Sequence, residues 1–212
     1  MTVTLNQYGF SINRKRIQRL MAIMGLEAIY PKPNLSKANR EHKIYPYLLR
    51  NVPIERVNQV WGVDITYLPL RAGFAYLVAF IDWFSRFVLS FSVSTTLDHQ
   101  FCLTAFNEAL LLGKAEISNS DQGSQFTCLP FVSAVQNADI RVSMDGRGRA
   151  LDNVFTERLW RSVKYEDIYL NDYQTPRDSF FGLKKYFRFY NYKRPHQALG
   201  YRTPAEVFHA LV

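Results

Sequence analysis

The chain has 212 residues, 48% of them hydrophobic and 15% aromatic, with a formal net charge of +8. That composition excludes a disordered polyelectrolyte and leaves room for one substantial domain with a small appendage. No run of about eighteen apolar residues occurs, and Met1 to Gln7 lacks the basic and apolar regions of a signal peptide, so a soluble, cytoplasmic protein is expected.

The charge is unevenly placed. Residues 1–56 hold ten Lys or Arg against three acids, 10 − 3 = +7, while the remaining residues sum to 16 − 15 = +1. A basic leader on a nearly neutral body predicts a polyanion-binding module beside a second one. Only Cys102 and Cys128 occur, without a C-x-x-C pair, and the histidines are scattered. Two buried, reduced thiols are expected rather than a zinc site.

In chain order, residues 2–8 read as a short helix and Tyr8-Gly9 as a turn. From Asn13 to Gly25 the apolar positions Ile17, Leu20, Met21 and Met24 recur at helical spacing, with Arg14, Lys15, Arg16 and Arg19 on the other face. Two helices around a glycine turn, the second basic, outline a helix-turn-helix segment, residues 1–30. Residues 31–56, with four prolines and no sustained period, read as a basic linker or extended arm. Strands are expected at Val60 to Leu70, Phe74 to Ile81, Arg86 to Thr95, Glu116 to Ser120 and Ile140 to Met144. The second is a continuous apolar run suited to a strand covered on both faces. Helices are expected at Leu97 to Gly113 and Phe131 to Ala138, and Asp145 to Arg149 reads as a flexible basic turn. This order describes a mixed α/β sheet with flanking helices, a core over 57–170, and a helical extension over 171–212.

Three acids stand out: Asp64 in a strand, Asp121 at a strand end, and Glu157 on a helix. Converging carboxylates repel unless cations sit among them, and oxygen-only ligands favour Mg²⁺ or Mn²⁺. On the Glu157 helix, Asn153, Glu157, Arg161 and Lys164 share an arc of roughly 80°, while Leu151, Phe155, Leu159 and Val163 lie opposite. Arg161 and Lys164 are candidate phosphate contacts, with Asn153 on the same DNA-facing stripe. Trp160 shares the stripe of Glu157 and is expected to pack on a neighbouring helix rather than stack on a base. Gly123 reads either as a turn or as a point of close DNA approach. A phosphate-loop motif is absent, so no nucleotide cofactor is implied.

These segments resemble those of bacterial insertion-sequence transposases with a retroviral-integrase-type core, of the second-frame kind. The resemblance rests on Asn13-Arg14-Lys15-Arg16, Trp61-x-x-Asp64-Ile65-Thr66-Tyr67, Asp121-Gln122-Gly123-Ser124-Gln125-Phe126, and Asp152-Asn153-x-x-x-Glu157 running into Lys164-x-Glu166. It continues in Tyr190-Asn191-x-x-Arg194-Pro195-His196-Gln197-Ala198-Leu199-Gly200-Tyr201-x-Thr203-Pro204. It implies a ribonuclease-H-like fold and Asp64, Asp121 and Glu157 as ligands of two Mg²⁺ or Mn²⁺ ions. It also implies metal-dependent cutting and joining of element-end and target DNA by a homo-oligomer at the nucleoid. The family's proteins have residues before the point where this chain begins, so Met1 reads as an internal start or truncation. The alternative expectation is a truncated regulator that inhibits the full-length enzyme; a ribonuclease-H or resolvase-type nuclease would leave the basic leader unexplained. The Tyr190 to Thr203 signature is expected to serve packing or subunit contact, with His196 structural.

Overall fold

The computed structural model describes residues 2–24, 43–71, 73–146 and 153–210. The chain parts into two compact units, Met1–Leu35 and Ser36–Val212. In the first, α1 (Thr2–Gln7) and α2 (Arg14–Ile23) flank a turn at Gly9, whose φ of +88° suits a residue without a Cβ. The Asn13 side-chain carbonyl accepts from Arg16 N at 3.0 Å and so starts α2. Ile17 is buried and Met21 half-buried while Arg14, Lys15, Arg16 and Arg19 are exposed, but Leu20 and Met24 of the expected apolar face are exposed too. The expected helix end at Gly25 and the linker as far as His42 lie outside the described residues.

The second unit is built on a five-stranded sheet. Its elements are β1 (Val60–Leu70), β2 (Gly73–Asp82), β3 (Val88–Ser94), α3 (Gln100–Leu110), β4 (Ile117–Ser120), α4 (Ser124–Thr127), α5 (Leu129–Asn137) and β5 (Arg141–Met144). The strand order is β3-β2-β1-β4-β5, with β1, β2 and β3 antiparallel and β4 and β5 parallel to β1. Every strand expected here is present. The short α4 is an addition to the expected elements, a single turn with no room to show a period.

Helix α6 (Val154–Val163) runs directly into a π-helical turn (Lys164–Ile168) and α7 (Tyr169–Asn171), then stops at Asp172 in a left-handed conformation. Helix α8 (Pro176–Tyr192) starts from Thr175, whose hydroxyl accepts from Asp178 N, with Pro176 pre-set in its first turn. A short 3₁₀ turn (Gln197–Leu199) leads to α9 (Pro204–Phe208), opened by a reciprocal capping box of Thr203 and Glu206. Among the described residues no helix is long and apolar enough to cross a membrane.

Period-two alternation makes two cores, one on each face of the sheet. Val60, Leu68, Leu77, Ala79 and Ile81 pack with Leu159 and Val163 of α6 and Leu183 and Phe187 of α8. Trp61, Val63, Val78 and Phe80 pack on the other side with Phe101 and Phe106 of α3 and Phe131 of α5. Strand β2 lies inside the sheet with helices on both faces, which is why its sequence shows no polar alternation. Leu77 and Phe80 are fully buried, and each such side chain contributes about 1.5–3 kcal/mol of transfer free energy.

Both outer strands are engaged at particular points. Tyr45 and Leu48 meet β5, Tyr45 N donating to Met144 Sδ at 3.5 Å and Leu48 N to Ser143 Oγ at 3.1 Å; Leu49 is buried, and the chain turns at Arg50 and Asn51. On β3, Asn191 answers both main-chain groups of Val88, accepting from its N at 2.9 Å and donating to its O at 2.8 Å. Cys102 is buried and Cys128 half-buried, both free thiols, and burial pushes the Cys102 thiol up.

Candidate active site

Strand register brings the first two acids together. The parallel β1–β4 ladder pairs Val60 with Ile117, Trp61 with Ser118 and Gly62 with Asn119, an offset of 117 − 60 = 57. Asp64 and Asp121 differ by the same 121 − 64 = 57, so the ladder continued two steps sets them level on neighbouring strands. The β4–β5 ladder pairs Ile117 with Arg141, an offset of 141 − 117 = 24. Asp145 follows Asp121 by 24 as well, and its N donates to Ser120 O at 2.9 Å. Asp64 thus lies within β1, while Asp121 and Asp145 follow directly on the C-terminal ends of β4 and β5. Alternation along β1 puts Asp64 on the same side as Val60 and Leu68, the side covered by α6.

The electrostatics follow from that placement. The Asp64 carboxyl is pushed up to about 7, chiefly by burial and then by the charge of Asp121, with Asp145 adding in the same sense. Two donors act the other way: Trp160 Nε1 at 2.9 Å from Oδ2 and Ile65 N at 2.7 Å from Oδ1. The Asp121 carboxyl is also raised by burial, and Gly123 N, 2.9 Å from its Oδ1, opposes this. Asp121 nevertheless keeps solvent access, so the pair opens outward on its side. Asp145 is buried, its Oδ1 accepting from Asn119 Nδ2 at 2.7 Å; Asn119 in turn accepts from Ser143 Oγ at 2.8 Å. Each of these groups holds the end of a strand in place.

Helix α6 lies close on this part of the sheet because β1 carries Gly62 there. A Cβ on Gly62 would come within 2.8 Å of Thr156 Oγ1 and closer still to the Trp83 indole nitrogen. Thr156, Leu159, Trp160 and Val163 form the buried side of α6, while Glu157 and Arg161 are exposed and Lys164 is half-buried at the head of the π turn. Trp160 therefore differs from expectation: it belongs to the buried face, and its ring N–H reaches across to Asp64. Phe155, expected on the apolar side, is half-buried, with its ring under the Arg86 guanidinium at 3.4 Å. Asn153 sits at the helix start, buried, and accepts from Thr156 Oγ1 at 2.5 Å, so its amide serves the helix end. Leu151, Asp152, Arg147 and Arg149 lie outside the described residues.

The structure brings Asp64 and Asp121 together and ties the Glu157 helix to them through Trp160, one turn further on. It does not gather Glu157 itself: among the described residues no three of His, Cys, Asp or Glu are grouped as a metal site. The reading of single segments missed Asp145 and the bond from Trp160 to Asp64. The shared offsets carry the signal for Asp145, but only once the strand order is known. Gly123 has an ordinary negative φ of −59° and starts α4, closing a turn on the Asp121 carboxylate.

The C-terminal signature joins the same helix at its far end. Glu166, inside the π turn, accepts from Arg194 Nε at 2.8 Å, Arg194 Nη2 at 2.6 Å and Tyr186 OH at 3.0 Å. Those Arg194 bonds hold its carboxyl below the usual range. The next residue, Asp167, accepts from Tyr173 OH at 2.6 Å. His196 stacks edge-on against Tyr190 with ring centroids 4.7 Å apart, and burial, aided by the Arg194 charge, pushes its pKa down to about 4. It is a neutral, packed histidine; Tyr190 and Asn191 of the signature are buried, while Pro195, Gln197, Ala198, Gly200 and Tyr201 are exposed.

Known proteins share this architecture. Models of the integrase core domain match residues 54–150 and 138–204, and a helix-turn-helix-like domain matches residues 1–34. The transposase of insertion sequence IS904 from Lactococcus lactis is 30% identical over 97% of this chain and 84% of its own length. The transposase of IS629 from Shigella sonnei is 26% identical over 93% of this chain and 68% of its own length. Among solved structures, the catalytic core of HTLV-2 integrase superposes with a TM-score of 0.59 at 23% identity, covering 73% of this chain and 98% of that one. An integrase chain of a simian T-cell lymphotropic virus intasome reaches 0.66 at 18% identity, covering 92% and 71%. The sheet and its helices thus have the ribonuclease-H-like fold of the integrase cores, and nothing in the comparisons favours the regulator alternative. With that fold around the paired aspartates and a relative matched nearly end to end, the chain belongs to the insertion-sequence transposases with an integrase-type core, enzymes that cut and join DNA.

Proposed function

We propose that Asp64, Asp121 and Glu157 together form the reactive centre of this transposase and that it works with two divalent cations, Mg²⁺ or Mn²⁺. The observation that carries this reading is the level pair Asp64 and Asp121, buried enough to repel one another and supplied with oxygen donors only. Such a pair fits a hard cation, which would relieve its repulsion. The HTLV-2 core, which shares the fold, is described in complex with magnesium. Asp64, Asp121 and Glu157 would hold the two ions, which would supply positive charge to the reacting phosphate and to the attacking and leaving oxygens of an in-line displacement.

The chain's own residues do the rest. Trp160 fixes one oxygen of Asp64 and so the direction of the carboxylate. Glu157, exposed one turn earlier on α6, turns toward the aspartates to complete the group. Water is the first nucleophile, freeing a 3′-hydroxyl at the element end; that hydroxyl then attacks the target phosphodiester, with no covalent enzyme intermediate. Arg161 and Lys164 lie along the same helix beside the reacting strand, with Asn153 holding the start of that helix. Arg14, Lys15, Arg16 and Arg19 hold the DNA backbone from the N-terminal unit. Residues 1–30 serve as the DNA-binding segment, 31–56 as its link, and 57–170 with the extension 171–212 as the catalytic body of a homo-oligomer on DNA.

The test is strand joining on pre-cut element ends in Mg²⁺. Asp64→Asn, Asp121→Asn and Glu157→Gln should each abolish joining and leave DNA binding within about twofold, because phosphate contacts lie elsewhere. Substantial joining by any of the three would remove that residue from the centre.

A further inference from the structure

Helix α8 carries a cationic face that neither the reactive centre nor the N-terminal unit uses. Arg177, Lys184, Lys185 and Arg188 on the helix, and Lys193 just after it, are all exposed. At 100° per residue the helical four fall with Phe181, Phe189 and Tyr192 within an arc of roughly 140°. Ser179, Leu183, Tyr186, Phe187 and Tyr190 occupy the buried side. Phe181, Phe189 and Tyr192 are large rings left 56%, 45% and 53% exposed, an arrangement that hydrophobic burial alone does not favour.

Charge is segregated here more sharply than the chain total suggests. The five cations against Asp178 give 5 − 1 = +4, whereas residues 57–212 together sum to +1. The remainder of that body is therefore 1 − 4 = −3. Among the described residues none of the five cations takes part in an ion pair. On one flank lies Asp167, whose carboxyl burial pushes up and the nearby Lys185 charge opposes. On the other, Lys185, Arg188, Phe189, Tyr192 and Lys193 line an open recess of about 830 Å³ with no carboxylate in its wall.

We propose that this face of α8, with Lys193, is a second DNA-binding surface that grips the sugar–phosphate backbone without regard to sequence. From Arg177 to Arg188 the helix rises about 16 Å at 1.5 Å per residue, close to the length of five base pairs at about 3.4 Å each. Cations in a line along that length meet phosphates, and exposed rings between them offer sequence-tolerant contacts to sugars or unpaired bases. The proposal rests on DNA as the transposase's partner and is independent of which carboxylates do the chemistry.

The experiment uses the full chain with Lys184, Lys185, Arg188 and Lys193 all changed to Gln, and a companion with the three lysines changed to Arg. Affinity for a random 30-base-pair duplex is followed by fluorescence anisotropy from low to physiological salt. Each phosphate that the protein ceases to neutralise should reduce the slope of log K against log salt by about 0.9, so the Gln variant should lose roughly two to four in slope. Its affinity near physiological salt should fall at least tenfold while its thermal midpoint stays within a few degrees of wild type. The Arg companion should keep the wild-type slope. Glu157→Gln should also keep it, so an error in the carboxylate assignment would appear in strand joining and not in this titration. An unchanged slope in the Gln variant overturns the proposal. So does an equal loss in the Arg companion, which would mean shape rather than charge. A change of sedimentation coefficient with no change of slope would hand this face to an acidic surface of a second copy.

Discussion

Replacing Arg194 with Ala removes the clasp between the C-terminal signature and the π turn behind Glu157. Two charge-assisted bonds, at 2.6 and 2.8 Å, disappear, and Glu166 keeps only the Tyr186 hydroxyl. Bonds to charged groups are worth about 1.5–3 kcal/mol each when buried. Here the two side chains are 27% and 36% exposed, so solvent screening brings the pair down to about 2 kcal/mol in total. For a chain of this size about 1 kcal/mol corresponds to roughly 2–4 °C, and the midpoint should fall by about 4–8 °C. Hydrogen exchange should quicken at residues 160–168 while β1, β2 and β3 keep their protection. The effect should also depend on acidity. The folded Glu166 carboxyl lies below its unfolded pKa, so its contribution is present above the unfolded value and lost as pH falls through the folded one. The gap between wild type and variant should therefore narrow below about pH 4. A midpoint within 1 °C of wild type at neutral pH, or faster exchange confined to residues 194–203, would refute the idea that this clasp holds the helix.

Two further outcomes follow from the site itself. Trp160→Phe keeps the ring in the core but removes the donor to Asp64 Oδ2, so strand joining should drop about 10- to 100-fold, the range for one bond to a charged group, with DNA affinity unchanged; joining at the wild-type rate would show that Trp160 only packs. In metal-free protein the folded Asp64 pKa of about 7 lies above the ordinary carboxylate value, so the folded state binds more protons than the unfolded and stability should decline as pH rises from about 4 to about 7. Adding Mg²⁺ should then raise the thermal midpoint more at pH 8 than at pH 5, and an equal gain at both would argue against a cation at Asp64.

The sheet was legible because its residues obey simple periods: β2 is apolar throughout as a strand covered on both faces must be, and β3 alternates. Local sequence also placed Asp64, Asp121 and Glu157 on the element types they occupy. What it lacked was pairing. The offset of 57 between Asp64 and Asp121 is visible in the sequence, yet it means nothing until β1 and β4 are known to be parallel neighbours, and the same holds for the 24 residues to Asp145. Trp160 was misplaced because an arc drawn on a helical wheel is a continuum, and the border between buried and exposed is set by how closely Gly62 lets α6 approach. Asn153, placed on the same stripe, is buried for the same reason. The clasp between Glu166 and Arg194 joins residues 28 apart in sequence across a helix and a turn, a contact that no period encodes.

Asn191 and the contacts of Tyr45 and Leu48 also bear on the edges of the sheet. An outer strand with unanswered main-chain groups is a template for another strand, and sheets joined that way grow without limit. Here the amide of Asn191 imitates a peptide group and occupies both Val88 positions, while Leu48 N and Tyr45 N are directed at side chains of β5, Ser143 and Met144. At Val88 the edge is closed to addition. A strand from a second copy finds no main-chain donor or acceptor free at Val88, so a ladder extended along this edge is broken there rather than continued.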